Sequence, residues 1–239
     1  MSILELRELT KEYRRGERAF NAVNSVNLSV ERGDFISIIG RSGSGKSTLL
    51  NMSAGLIKPT GGNVFFNGQD IFNLADNSIS LLRNEKIGFV PQGQSLLSNF
   101  TVLENVCVPW FLFKRAGEPE PSAEAQQSRG SPPEERAFTL LEKTGIDHLA
   151  ASYPKELSGG EMRRVAIARA LINFPEIIIA DEPTSDLDAE TTAAIMKLLN
   201  AIAREGTAVL IVTHELDTLS YGNKTYMMNS GNLSPHLPA

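Results

Sequence analysis

The stretch GRSGSGKS, residues 40 to 47, has the spacing G-x-x-x-x-G-K-[ST] and lies between the apolar run FISII and the helix-forming STLLNMSAG. That context makes it a phosphate-binding loop. Gly40, Gly43 and Gly45 let the backbone bend so that successive N–H groups converge on phosphate oxygens, and the helix that follows adds the partial positive charge of its N-terminus. Lys46 is expected to reach the β- and γ-phosphates of a nucleotide and Ser47 to ligate Mg2+, with Arg41, Ser42, Ser44 and Thr48 filling out the cradle. The loop alone does not separate ATPases, GTPases and small-molecule kinases.

Further groups of the right chemistry lie downstream. Asp181 closes the apolar EIIIAD with Glu182 beside it, which provides one carboxylate to hold a metal and another to polarise an attacking water. His214 ends AVLIVTH, where it is placed to hydrogen-bond a γ-phosphate. Gln92 closes KIGFVPQ, and its side-chain carbonyl suits Mg2+ or the water; Gln94, beyond Gly93, competes for that role. Tyr13, ahead of the basic RRGER, either stacks on adenine or simply packs. A second loop of similar style, Leu157, Ser158, Gly159, Gly160 and Glu161, opens a helix whose apolar face recurs at Val165, Ala166, Ala168, Ala170 and Leu171. Its N–H groups and hydroxyl suit an anion. The plain alternative is a helix cap with flexible glycines.

These groups need elements to position them. FISIIG, KIGFV, EIIIAD and AVLIVTH read as buried strands of a parallel sheet, each followed by polar or Gly-bearing residues. Asp188 is the expected N-cap of a helix with apolar positions at Ala193, Ile195, Met196, Leu199 and Ile202, ending before Gly206. The fold class is therefore α/β, with a mainly parallel sheet whose carboxyl edge gathers the phosphate loop, Gln92, Asp181, Glu182 and His214. LELREL and VNSVNLSV alternate and predict a flanking antiparallel sheet. Residues 1–94 and 166–239 form the expected catalytic core, and 95–165 a helical subdomain. Within that subdomain 115–130, rich in proline and charge, reads as a mobile loop. A helix is expected after it, with a capping box of Ser131 and Glu134, Pro132 at the first helical position and Gly145 as terminator.

Composition limits the partners. With 239 residues and a net charge of −5, the chain offers no broad cationic field to nucleic acid. Its single cysteine, Cys107, excludes an intrachain disulfide and is expected to pack in the core. No apolar run approaches the roughly 20 residues of a membrane-spanning helix, so no direct membrane insertion is expected and membrane contact must run through a partner. The segment SLLSNFTVLENVCVPWFLF is richer in large apolar residues than a small subdomain readily buries. Val102, Val106 and Cys107 are expected inside, and Leu97, Phe100, Trp110 and Phe113 on a surface for a partner.

GRSGSGKST, FVPQ, LSGGE, IIIADEP, SDLD and VTHE follow one another in an order and spacing that resembles the ATP-binding cassette ATPases over essentially the whole chain. The resemblance implies ATP and Mg2+ as ligands, Ser47, Gln92 and Asp181 around the metal, and Tyr13 on adenine. It also implies a head-to-tail pair with a second copy or a homologous ATPase, in which Ser158, Gly159 and Gly160 of one chain complete the site holding Lys46 of the other. Ser185, Asp186, Leu187 and Asp188 match the loop that links the paired sites. The region of Leu97, Phe100 and Trp110 would then receive a cytoplasmic helix of an integral membrane permease, placing the chain peripherally on the cytoplasmic side of a bacterial inner membrane. SGSGKSTLLNMSAGLIKPTGG, LRNEKIGFVPQ and LLSNFTVLENVCVP are similar to the bacterial lipoprotein-releasing, macrolide-exporting and antimicrobial-peptide-resistance subfamily, although TSDLD stands where TGNLD is common there. A regulatory ATPase acting on a permease-like partner and a soluble ATPase outside transport are the rival readings. A GTPase is disfavoured because NKTY lacks the Asp of N-K-x-D.

Overall fold

The computed structural model describes residues 2–16, 18–93, 95–112 and 132–236. The proline-rich stretch 115–130, Ser131, Phe113 and Gln94 lie outside them. The central sheet has the strand order β10-β9-β3-β8-β7-β6, built from β3 (Phe35–Ile39), β6 (Ile87–Val90), β7 (Ile177–Asp181), β8 (Ala208–Thr213), β9 (Lys224–Asn229) and β10 (Asn232–Pro235). All pairs are parallel except β9 with β10. Every residue of β3, β7 and β8 is buried, as their unbroken Ile/Val/Leu runs require of strands covered on both faces. At about 1.5–3 kcal/mol for each large apolar side chain removed from water, these strands carry much of the driving force for folding.

β9 and β10 escaped the sequence reading. KTYMMN is half-buried at most positions and presents no apolar run, because β9 borders a short antiparallel edge rather than the centre of the sheet.

The predicted antiparallel sheet is present, with strand order β2-β1-β4-β5: β1 (Ser2–Arg15), β2 (Arg18–Glu31), β4 (Gly61–Phe66) and β5 (Gln69–Asp70). The long β1/β2 hairpin pairs Tyr13 with Phe20 near its tip. Helix α1 (Lys46–Ser53) follows the phosphate loop, α2 (Asp76–Lys86) leads into β6, and α3 (Val102–Phe111) and α4 (Pro133–Thr144) pack on α5 (Gly159–Leu171). α6 (Ala189–Arg204) runs from an Asp188 cap that accepts from the Thr191 N–H, and Gly206 beyond it has φ 103°. These last two features are as expected.

α4 ends at Gly145 in the left-handed conformation, as anticipated, but its start differs by one residue: Pro132 occupies the cap and Pro133 the first helical position. Two successive prolines both lack N–H groups, so either satisfies the tolerance of a helix start for proline, and spacing cannot choose between them. Val102, Val106 and Cys107 are buried. Burial, with Glu134 and Glu104 nearby, pushes the Cys107 thiol up to about 11, so it stays protonated packing material. Trp110 departs from expectation. It packs half-buried against the core through α3, whereas Leu97 and Phe100 are exposed, and so are Phe111 and Leu112 just beyond it.

Candidate nucleotide site

The four strands β3, β8, β7 and β6 are adjacent and parallel, so their carboxyl ends deliver, side by side, the phosphate loop, His214, Asp181 with Glu182, and Gln92. This is the edge where open α/β sheets bind ligands. A cleft of about 640 Å3 opens there, lined by Ser42, Gly43, Gly45, Lys46, Ser47, Thr48, Gln92, Glu182 and His214, with Tyr13, Phe20 and Ala22 on the side of the antiparallel sheet.

The loop is shaped by close packing. Gly45 caps α1 with φ 105°, and a Cβ there would sit 2.0 Å from the Ala22 carbonyl oxygen, so no other residue fits. α1 has no side-chain cap and no acidic residue in its first turn, which leaves its N–H groups for an anion. The buried Lys46 ammonium donates to the carbonyls of Gly40 at 2.8 Å and Arg41 at 3.1 Å. Gly40 and Arg41 thereby hold Lys46 in place, and the Ser44 carbonyl accepts from the Gly231 N–H of the β9/β10 turn.

Across the cleft, Gln92 Nε2 donates to one Glu182 oxygen at 2.9 Å and His214 Nδ1 lies 3.4 Å from the other. Gln92 thus keeps its carbonyl oxygen, and His214 keeps Nε2, for other partners. Glu182 itself is held at φ 47°, a left-handed conformation rare for a residue with a side chain. Asp181 is buried beneath the cleft; burial pushes its carboxyl up although the Ser47 hydroxyl beside it pulls the other way. Its Oδ1 has no hydrogen-bond partner. A buried carboxylate oxygen left open beside the Ser47 hydroxyl is the donor set a divalent cation requires, and the site fits Mg2+ on that ground.

The second loop is a helix cap, the plainer of its two readings, completed by a carboxylate that sequence did not single out. Ser158 caps α5 in a complete capping box: its hydroxyl accepts from the Glu161 N–H, while the Glu161 carboxylate accepts from the Ser158 N–H at 2.7 Å and hydroxyl at 2.8 Å. These two bonds hold the Glu161 carboxyl below its usual range. The box engages the N–H groups of Ser158 and Glu161 and sets a negative charge in the first turn, while the N–H groups of Gly159 and Gly160 take no part in it. The glycines are not chosen for flexibility, since neither has positive φ; a Cβ on Gly160 would meet Thr191 Cγ2 at 2.5 Å, so it permits close approach of α6. No residue from 157 to 161 lines the cleft around Lys46.

Two arginines of α5, Arg163 buried and Arg169 half-buried, grip the segment on either side of Gln92. Arg163 donates to the Pro91 carbonyl at 3.0 Å, and Arg169 to the Ser95 carbonyl and hydroxyl at 2.7 Å each. Sequence reasoning missed both, as well as Phe20, whose ring lies 6.1 Å from that of Tyr13. Phe20 could have been found from the hairpin register; the arginines read as an exposed helix face.

Comparison with known proteins follows the geometry. Residues 23–185 match a family model described as ABC transporter. Among solved structures, the chain is 36% identical to the ATP-binding cassette MJ0796 in a dimeric post-hydrolysis state bound to ADP and Pi, covering 99% of this chain and 100% of that one with a TM-score of 0.84. It is 33% identical to MJ1267, an ABC transporter cassette in its ADP conformation, with coverage of 98% and 90% and a TM-score of 0.79. It is also 32% identical to cbiO1 from Clostridium perfringens, part of the ABC transporter complex cbiONQ, with coverage of 98% and 87% and a TM-score of 0.79.

Proposed function

The chain belongs to the ABC transporter family and is an ATP-hydrolysing cassette, and from that premise we propose that it works as a head-to-tail dimer driving a separate integral membrane permease. The observation that carries the reading is the bracketing of Glu182 by Gln92 and His214 at the mouth of a cleft floored by an open phosphate loop. The loop of Lys46 cradles the ATP phosphates, and Tyr13 and Phe20 provide aromatic surface for adenine. Glu182 accepts the proton of the attacking water as its oxygen bonds to the γ-phosphorus; the bond to the bridging oxygen breaks, and ADP and phosphate leave. His214, through Nε2, steadies the transferred group. Ser47, Asp181 and the Gln92 carbonyl would hold Mg2+, which neutralises phosphate charge.

That reading supplies a role for the loop at Ser158, because a helix start absent from its own chain's cleft is available to a nucleotide held by a second copy. Ser185 to Asp188, next to Glu182 in sequence, provide the corresponding link between sites. Among the described residues no helix is long and apolar enough to cross a membrane, which supports attachment through a permease. Leu97 and Phe100 belong to the docking face; buried Asn105 holds their loop, accepting from the Leu97 N–H and donating to the carbonyls of Leu97, Phe100 and Thr101. Trp110 supports α3 from below. A groove of about 270 Å3 walled by Leu56, Arg83, Phe89, Pro109 and Arg169 shares α3 with that face and extends the surface open to a permease helix.

Glu182→Gln tests the chemistry. The amide preserves shape but cannot take the proton, so ATP binding is retained while steady-state hydrolysis falls by about 10²–10⁴-fold. Near-normal turnover removes Glu182 from the role of base.

A further inference from the structure

We propose that Thr184 and Glu215 form a latch that positions the turn behind Glu182 against the loop carrying His214, which makes Glu215 a positioning residue for hydrolysis; this rests on the roles given to Glu182 and His214 above. The Thr184 hydroxyl, on a side chain only 1% exposed, donates to Glu215 Oε2 at 2.8 Å. Glu215 is pinned at both ends of its own backbone: its N–H donates to the Thr213 hydroxyl at 3.0 Å and its carbonyl accepts from the Thr218 hydroxyl at 2.7 Å. A carboxylate so fixed can hold another segment in place.

The segment it holds needs holding. Strand pairing between β7 and β8 ends at Asp181 with Val212, and the last backbone bond across is from the Glu182 N–H to the Val212 carbonyl at 3.0 Å. Beyond it the chain passes through two left-handed residues, Glu182 at φ 47° and Asp186 at φ 64°. Such conformations persist only where the surroundings impose them. Apart from the Gln92 amide on the Glu182 carboxylate, the turn's other bonds are internal: Ser185 N–H and hydroxyl to the Glu182 carbonyl, and Leu187 N–H to the Thr184 carbonyl. Those fix its shape but not its placement. Among the described residues, Thr184 with Glu215 is the one side-chain hydrogen bond from this turn to the His214 loop. His214 itself is exposed and touches Glu182 only at 3.4 Å, so the relation between acid and histidine is set largely by residues close to them in sequence, Thr184 and Glu215. A shift of about 1 Å between groups that act together costs on the order of 10²-fold in rate, and part of that loss is expected when the latch opens.

The phosphate loop uses neither residue, so the effect must appear in kcat and not in KM. Thr184→Val, which keeps the volume and removes the hydroxyl, and Glu215→Met, which removes the acceptor, should each lower kcat about tenfold with KM unchanged. Thr184→Ser and Glu215→Gln keep a donor and an acceptor and should stay within about twofold of the parent. Thr184→Val/Glu215→Met together should be no slower than the slower single variant, because the second change breaks a bond already gone. The latch is overturned if Thr184→Val keeps full kcat, if Thr184→Ser falls as far as Thr184→Val, or if KM rises as much as kcat falls. Glu182→Gln measured in the same series separates the two ideas: its collapse beside an unaffected Thr184→Val overturns the latch alone, whereas its normal turnover overturns the assignment on which the latch rests.

Discussion

Two helix starts in this molecule carry glycine and serine loops, yet they are in opposite electrostatic states. α1 is uncapped by any side chain, has no acid in its first turn, and contributes Lys46 to the cleft. α5 is closed by Ser158 and by the carboxylate of Glu161. The first is built to be satisfied by something outside the chain, and the second is partly satisfied from within. An anion reaching α5 therefore meets the negative charge of Glu161 beside the N–H groups of Gly159 and Gly160. The comparison shows that similar motif chemistry does not imply similar readiness: the first turn of α1 carries no acid beside its N–H groups, and that of α5 carries the Glu161 carboxylate.

The largest effect expected from breaking this contrast is at the open end. Lys46→Ala should weaken ATP binding about 10–100-fold in an equilibrium titration, since a charge-assisted contact to the phosphates is lost. The same measurement on Ser158→Ala should change little in the isolated chain, because that residue does not line the cleft. Equal losses would erase the distinction.

The closed end is more sensitive to packing than to charge. Gly160→Ala places a Cβ 2.5 Å from Thr191 Cγ2, and Thr191 cannot swing away freely because its hydroxyl donates to Asp188 at 2.7 Å. A cost of about 1–3 kcal/mol is expected from chemical denaturation. Adding Thr191→Ser, which deletes the offending methyl and keeps the hydroxyl, should restore most of it. A Gly160→Ala protein as stable as the parent would return the glycine to a purely conformational role.

The smallest effect tests that charge itself. Glu161→Gln keeps an acceptor for the Ser158 N–H and removes the negative charge that competes with phosphate. ATP-dependent dimerisation, followed by sedimentation, should strengthen about 2–5-fold, the range of a screened charge at a helix start. Weaker association would mean that the carboxylate assists the partner's nucleotide instead of yielding to it.

Much of this arrangement was readable from residue patterns. Continuous apolar runs gave β3, β6, β7 and β8, and because polar chemistry follows each run immediately, the cleft could be placed at their carboxyl ends. What escaped depends on contacts between segments far apart in the chain. β9 offers mostly half-buried residues with no strand signature. Arg163 and Arg169 look like solvent-facing cations until the segment around Gln92 is seen to meet them at Pro91 and Ser95. Thr184 and Glu215 stand 31 positions apart and become partners only because β7 and β8 are neighbours. The capping box at Ser158 is a different lesson: its S-x-x-E spacing was present in LSGGE, and attention to the glycines hid it.

The central claim, that the closed helix start serves a nucleotide held by another copy, is tested most directly by mixing two inactive chains, Ser158→Arg and Glu182→Gln, and measuring ATP hydrolysis. If sites are shared, each mixed dimer has one site with both lesions and one with neither, and activity should return to about a quarter of the parent's in an equimolar mixture. If each chain serves its own nucleotide, every site carries one lesion, and a mixture as inactive as its components contradicts the account.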